Sequence, residues 1–164
     1  MRSVVRVQGT GVHVVTGRHR VYLDACCLNR PFDDQSQDRI RLEAEAVRLV
    51  LSHAEVGEWD WIGSEALTYE TSQIPDGDRR RRMEVLLASA GAVVTVGDTE
   101  VDRAHELTSL GFHPVDALHI ACAERGEATV CLTTDDRFLA RARRMARTLR
   151  VRVANPLAWL EEMT

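Results

Sequence analysis

The sequence predicts an α/β domain with a central parallel sheet flanked by helices on both faces. Short apolar runs alternate with longer segments of helical periodicity, the pattern of parallel strands joined by crossover helices. One run, "AVVTV" from Ala92, is continuously apolar, as in a strand buried on both faces. The chain of 164 residues suits a single domain with one core.

Residues 1–19 read as a leader, a weak hairpin or disordered, outside a domain over 20–164. Val21 to Leu23 form the first strand, followed by the loop "CCLNRPFDD" with a turn over Pro31-Phe32-Asp33-Asp34. From Arg39 to about Val56, apolar residues such as Ile40, Val47 and Val50 recur at helical spacing. "WDWIGS" is a second strand, and Ser64 caps a helix that runs through Glu70, because a serine oxygen accepts an orphan backbone N–H. "IPDGD" interrupts the chain before a helix over Arg79 to Ala90, and "AVVTV" is the third strand. "DTEVDRAHELTSLG" is a helix closed by Gly111, and Pro114 opens another, with Asp116 in its first turn. "ATVCLTT" is a strand ending at Asp135 and Asp136, where an arginine-rich helix begins. "VRVANP" supplies the last strand, and Asn155-Pro156 starts a terminal helix.

No apolar run approaches the roughly 20 residues that span a bilayer, and no secretory leader is recognisable, so the expected location is the cytoplasm. Cys26, Cys27, Cys122 and Cys131 are expected as reduced thiols in a chain too large to need disulfides. A net charge of −4 argues against binding nucleic acid by bulk positive charge. All 21 basic residues are arginine, clustered at Arg79 to Arg82 and along Arg137 to Arg152. That set suits phosphate binding through guanidinium forks, and equally a genome-wide compositional bias.

The chemistry lies with acids. In open parallel sheets, functional groups gather beyond the carboxyl ends of the strands. Asp24 ends the first strand, Asp135 and Asp136 follow the fourth, and Asp116 and Glu70 stand on helices that open at the same rim. Two carboxylates about 4 Å apart repel by roughly 4 kcal/mol at an effective dielectric near 20, so a cluster demands a cation or protons. Oxygen ligands suit Mg²⁺ or Mn²⁺, which keep waters and bind substrate phosphate. Such a site is equipped for metal-assisted phosphodiester hydrolysis.

"VYLDACCLNRPFDD", "SEALTYE", "HPVDALHIACAE" and "LTTDDRFL", in this order, resemble the motifs of PIN-domain ribonucleases, the family that includes VapC-type toxins of type II toxin–antitoxin systems. The resemblance covers about residues 20–156. It implies a metal-dependent endoribonuclease whose acidic ligands fall on Asp24, Glu70, Asp116 and Asp135, with Asp136 as the other candidate for the last place. It also implies an RNA substrate, a homodimer and a cognate antitoxin. One departure concerns position 26: the family usually has Ser, Thr or Asn two residues after the first aspartate, and here Cys26 occupies that place. Either Asn29 or a water then supplies the missing hydrogen bond, or the site is weakened. Arg30, in the same segment, is a candidate contact for substrate phosphate.

Other readings carry less. A zinc site from His119, Cys122, Cys26 and Cys27 lacks any C-x-x-C spacing. A phosphoaspartyl enzyme of the haloacid dehalogenase type wants an aspartate at position 26 and a lysine, and this chain has neither. The alternative is a catalytically weak PIN-like module for RNA or protein binding. Trp59, Trp61 and Trp159 read as packing anchors, His113 as a loop residue, and Asp33 and Asp34 as solvated acids.

Overall fold

Val21, Tyr22 and Leu23 are almost wholly removed from water, as a strand covered on both faces must be. They belong to β1 (Arg20–Leu23), the middle strand in the computed structural model of the protein, which describes residues 17–163. Most of the expected leader lies outside the described residues; positions 17–19 precede β1 without regular structure. β1 pairs in parallel with β2 (Asp60–Ser64) on one side and β4 (Val130–Leu132) on the other, placing Tyr22 between Ile62 and Cys131. β3 (Ala92–Val94) and β5 (Arg152–Ala154) are the edges, so the order is β3-β2-β1-β4-β5, all parallel.

The helices are α1 (Ala25–Asn29), α2 (Asp38–Glu55), α3 (Glu65–Ser72), α4 (Gly77–Ala88), α5 (Asp98–Ser109), α6 (Pro114–Arg125), α7 (Asp136–Arg144) and α8 (Pro156–Met163). The chain steps outward from β1 to β3, then crosses back to β4 and β5. Right-handed connections therefore put α2 and α4 on one face and α5, α6 and α7 on the other. The direction of winding reverses between β1 and β4, which is where open α/β sheets bind ligands. Gly126, after α6, permits a close approach to the sheet: a Cβ there would sit 2.7 Å from Ile62 Cγ2.

Two expectations change. "AVVTV" is a three-residue edge strand with Val93 exposed, because a continuous apolar run does not distinguish an edge from a centre. The segment after Asp24 is helical: α1 leads into a 3₁₀ turn over Arg30–Phe32. Its first turn is closed by the Asp24 side chain, a capping role that an acid at a strand end does not announce. As expected, the tryptophans pack. His19 lies edge-on to both Trp59 and Trp159, at 5.8 and 5.6 Å, and Trp159 is 2% exposed. No helix among the described residues is long and apolar enough to cross a membrane.

An ion network braces the rim. Glu43 of α2 is 2% exposed, with its carboxylate 2.9 Å from Arg30 Nε, 3.0 Å from Arg39 Nε and 2.9 Å from Asn155 Nδ2. Arg30 also pairs with Asp33, Asp33 with Arg79, and Arg39 with Asp136. The chain of charges joins α4, the 3₁₀ turn, α2 and the start of α7. Removing one partner of a buried pair leaves the others uncompensated, a cost of about 3 kcal/mol. Glu43→Ala is accordingly expected to lower stability in urea unfolding by about that amount, whereas Arg41→Ala, at an exposed pair with Asp38, costs about 0.5 kcal/mol or less. Equal effects would show that the network is not structural.

Candidate active site

Asp24 sits at the reversal point of the sheet. Its backbone N–H donates to Leu132 O of β4 at 3.1 Å, fixing it at the seam between the two strands. The side chain is buried; Oδ1 accepts the Cys27 N–H at 2.9 Å, and the Thr133 hydroxyl hydrogen-bonds to the same carboxyl group. Burial raises its pKa above the ordinary carboxylate value, against the opposing pull of His119 and of these two hydrogen bonds. Thr133, itself fully buried, also accepts the Asp135 N–H at 3.1 Å, so one hydroxyl links two acids.

Asp135 caps α7, its Oδ1 accepting the backbone N–H groups of Arg137 and Phe138 at 2.8 and 3.1 Å. Asp136 turns outward to a two-pronged pair with Arg39, at 2.8 and 2.6 Å, which holds its carboxyl below the usual range. Of the two candidates, Asp135 is the one whose charge bears on Asp116. Asp116 is half-buried in the first turn of α6, whose N-cap is His113, with Nδ1 accepting the Val115 N–H. Burial and the charges of Asp135 and Asp24 push the Asp116 carboxyl up to about 6, against His119 and His113.

Glu70 arrives from α3, whose N-cap is Ser64, as the sequence implies. Its Oε2 lies 2.6 Å from His119 Nε2; His119 Nδ1 lies 2.7 Å from Tyr22 Oη, which lies 2.7 Å from Ser64 Oγ. Burial alone lowers the pKa of His119. The Glu70 hydrogen bond and the charges of Glu70, Asp24 and Asp116 outweigh it, and the net shift is upward.

Cys26 stands on α1 above these groups. Partial burial, then the charges of Asp24, Asp135, Asp116 and Glu70, push its thiol up to about 12. All four acids thus act on one point, and the thiol there is not a thiolate at neutral pH. Asn29 does not replace the missing hydroxyl: its Nδ2 donates to Ala25 O, and its Oδ1 is buried without a partner. Thr133 is the hydroxyl that reaches Asp24. Arg30 is engaged by Asp33 and Glu43 while also lining the cleft beside Cys26; its Nε and Glu43 Oε2 are close, though neither makes a well-angled hydrogen bond. Cys26, Asn29 and Asp135 line a cleft of about 380 Å³.

Carboxylate oxygens suit a hard divalent cation. Among the described residues, no group of three or more His, Cys, Asp or Glu side chains is arranged to hold an ion unaided. The donors therefore fit an ion held by one or two carboxylates and completed by waters, the habit of Mg²⁺. They do not fit zinc. Both nitrogens of His119 are engaged, and Cys27 and Cys122 are buried free thiols.

The family model for the PIN domain matches residues 21–144. The chain belongs to the PIN-domain family. No curated protein matches it in sequence. Among solved structures, a chain of VapBC2 from Rickettsia felis, crystallised bound to a DNA fragment from their promoter, is 13% identical. The likeness covers 83% of this chain and 98% of that one with a TM-score of 0.50, and at that identity it speaks to the PIN fold alone.

Sequence reasoning did not find Tyr22, Ser64 and Thr133 as supports of the site. The available signal was a tyrosine inside a central strand, whose hydroxyl must find a partner.

The Asp116 shift has a sign that can be checked. A carboxyl with a raised folded-state pKa is favourable while protonated, and its contribution is lost as pH rises from its ordinary value through about 6. In EDTA, Asp116→Asn is expected to melt above the wild type at pH 7–8, with the gap opening between about pH 4 and 6. Parallel melting curves across that range would show that Asp116 carries no such burden.

Proposed function

We propose that this PIN-domain protein is a metal-dependent endoribonuclease, the toxin of a type II toxin–antitoxin system. The observation that carries the reading is the placement of the acids at the sheet's reversal point: Asp24 is bonded to Leu132 at the end of β4, Asp135 follows two residues beyond Thr133, and Glu70 is held by His119 of the helix that carries Asp116. One or two of these carboxylates at a time would hold Mg²⁺ or Mn²⁺, with waters completing the shell and Asp136 set aside by Arg39. When bound, the ion supplies Lewis acidity and an activated water for attack on a phosphodiester.

The chain's own residues do the placing. The Cys27 N–H and the Thr133 hydroxyl fix the Asp24 carboxylate, and the capping bonds from Arg137 and Phe138 fix Asp135. The cleft beside Cys26, Asn29 and Asp135 gives an RNA backbone room to approach. α7 begins at that rim and carries Arg137, Arg141, Arg143 and Arg144, suited to steering phosphate. A homodimer, a cytoplasmic location and a cognate antitoxin that blocks the site belong to the same reading. The antitoxin draws support from the fold shared with a chain of VapBC2.

The test is cleavage of an end-labelled mixed RNA pool with Mg²⁺, Mn²⁺ or EDTA. The wild type is expected to cut with metal and not in EDTA, and Asp24→Asn and Asp116→Asn are expected to lose at least about a hundredfold in rate, the scale of a lost charge-stabilising group. No metal-dependent cutting by the wild type, with RNA binding equal in all three proteins, would overturn the enzymatic reading in favour of an RNA- or protein-binding module.

A further inference from the structure

Glu70 differs from the other three acids of the site in being tied to a buried side chain from another helix. We infer that His119, steered by Tyr22, is a positioning residue that leaves Glu70 one free oxygen and so favours a small octahedral ion over a larger one. The inference rests on the metal-site reading above and adds a basis for metal choice within it.

The geometry is directional. A carboxylate only accepts, so the 2.6 Å contact requires a proton on His119 Nε2, which the ring carries whether it is neutral in this tautomer or charged. Tyr22 Oη sits 2.7 Å from the other ring nitrogen and 2.7 Å from Ser64 Oγ, while Ser64 Oγ accepts the Leu67 N–H at 3.2 Å. Four groups from β1, the end of β2, α3 and α6 thus form one chain of hydrogen bonds. The imidazole is 2% exposed and Tyr22 fully buried, so neither ring rotates freely nor trades its partner for water. Glu70 Oε2 therefore has one lone pair engaged from the protein side, and Oε1 is the oxygen left with both lone pairs for a ligand.

Ion chemistry turns this into selection. Ca²⁺ takes six to eight oxygens at about 2.3–2.6 Å and uses bidentate carboxylates readily, whereas Mg²⁺ binds about six at 2.0–2.1 Å, through one oxygen per carboxylate and several waters. Mn²⁺ shares the oxygen-rich octahedral preference of Mg²⁺. A carboxylate whose second oxygen is held by an imidazole suits the smaller ions and penalises the larger.

The experiment is calorimetric titration of the metal-free protein with Mn²⁺ and, separately, Ca²⁺, with folding of each variant checked by circular dichroism. Ligand-supporting groups of this kind are typically worth about 10–100-fold in metal affinity. His119→Leu is expected to reduce the ratio of Mn²⁺ to Ca²⁺ affinity by about tenfold, and His119→Gln, which keeps an N–H donor on a side chain that can reach Glu70, to restore most of it. Tyr22→Phe keeps the ring and the fold but frees the imidazole, and should move the ratio the same way by a few-fold, which covers the case in which His119→Leu does not fold. A ratio unchanged in every folded variant, including one in which both affinities fall together, would overturn the inference and leave His119 as a packing residue. A wild type that binds neither ion would remove the metal site itself, and this inference with it.

Discussion

The carboxylate of Asp24 is taken almost out of water at the end of the central strand, and the need to satisfy it there shapes the architecture of the rim. A buried carboxylate needs donors, and it finds the Cys27 N–H and the Thr133 hydroxyl. The first of these bonds winds the residues after Asp24 into α1, which carries Cys26 over the site. The second ties the acid to the end of β4, and through the Asp135 N–H to the cap of α7. One desolvated group thus sets the course of the chain on both sides of the reversal point. Its charge also bears on Asp116, whose carboxyl is pushed up first by burial and then by the charges of Asp135 and Asp24.

Two kinds of support hold that crowded rim in shape. Beneath it lies the chain from Glu70 through His119 and Tyr22 to Ser64, all hydrogen bonds and nearly all buried. Around it runs the ion network of Arg79, Asp33, Arg30, Glu43, Arg39 and Asp136, largely within reach of water except at Glu43. In both, a buried group is paired on more than one side: His119 by Glu70 and Tyr22, and Glu43 by Arg30, Arg39 and Asn155.

The sheet was legible in the sequence because parallel strands alternate with helices and place acids at their carboxyl ends, so Asp24 and the Asp135–Asp136 pair read directly. The α2 helix was legible from its period, and Ser64 from its capping chemistry. Pairing across long sequence distance escaped. Nothing near Arg30 shows that Glu43 and Asp33 will claim it, and nothing near Asp136 shows that Arg39, 97 positions away, will turn it outward. His119 stood out in the sequence only as a member of a zinc set without the required spacing, and only the fold reveals Glu70 against one nitrogen and Tyr22 against the other. The loop expected after Asp24 begins as a helix because one aspartate can both end a strand and cap the helix beyond it, and a sequence does not separate the two roles.

The family match ends at residue 144, but the folded unit does not. β5 completes the sheet beside β4, Asn155 reaches back 112 positions to Glu43, and Trp159 closes the aromatic corner against His19 and Trp59. During synthesis, therefore, the nascent chain holds every acid of the rim well before it holds the residues that lock the rim's bracing. β5 and α8 emerge last from the ribosome, so the outer edge of the sheet and the Asn155 bond to Glu43 are added only after every acid of the rim has been made.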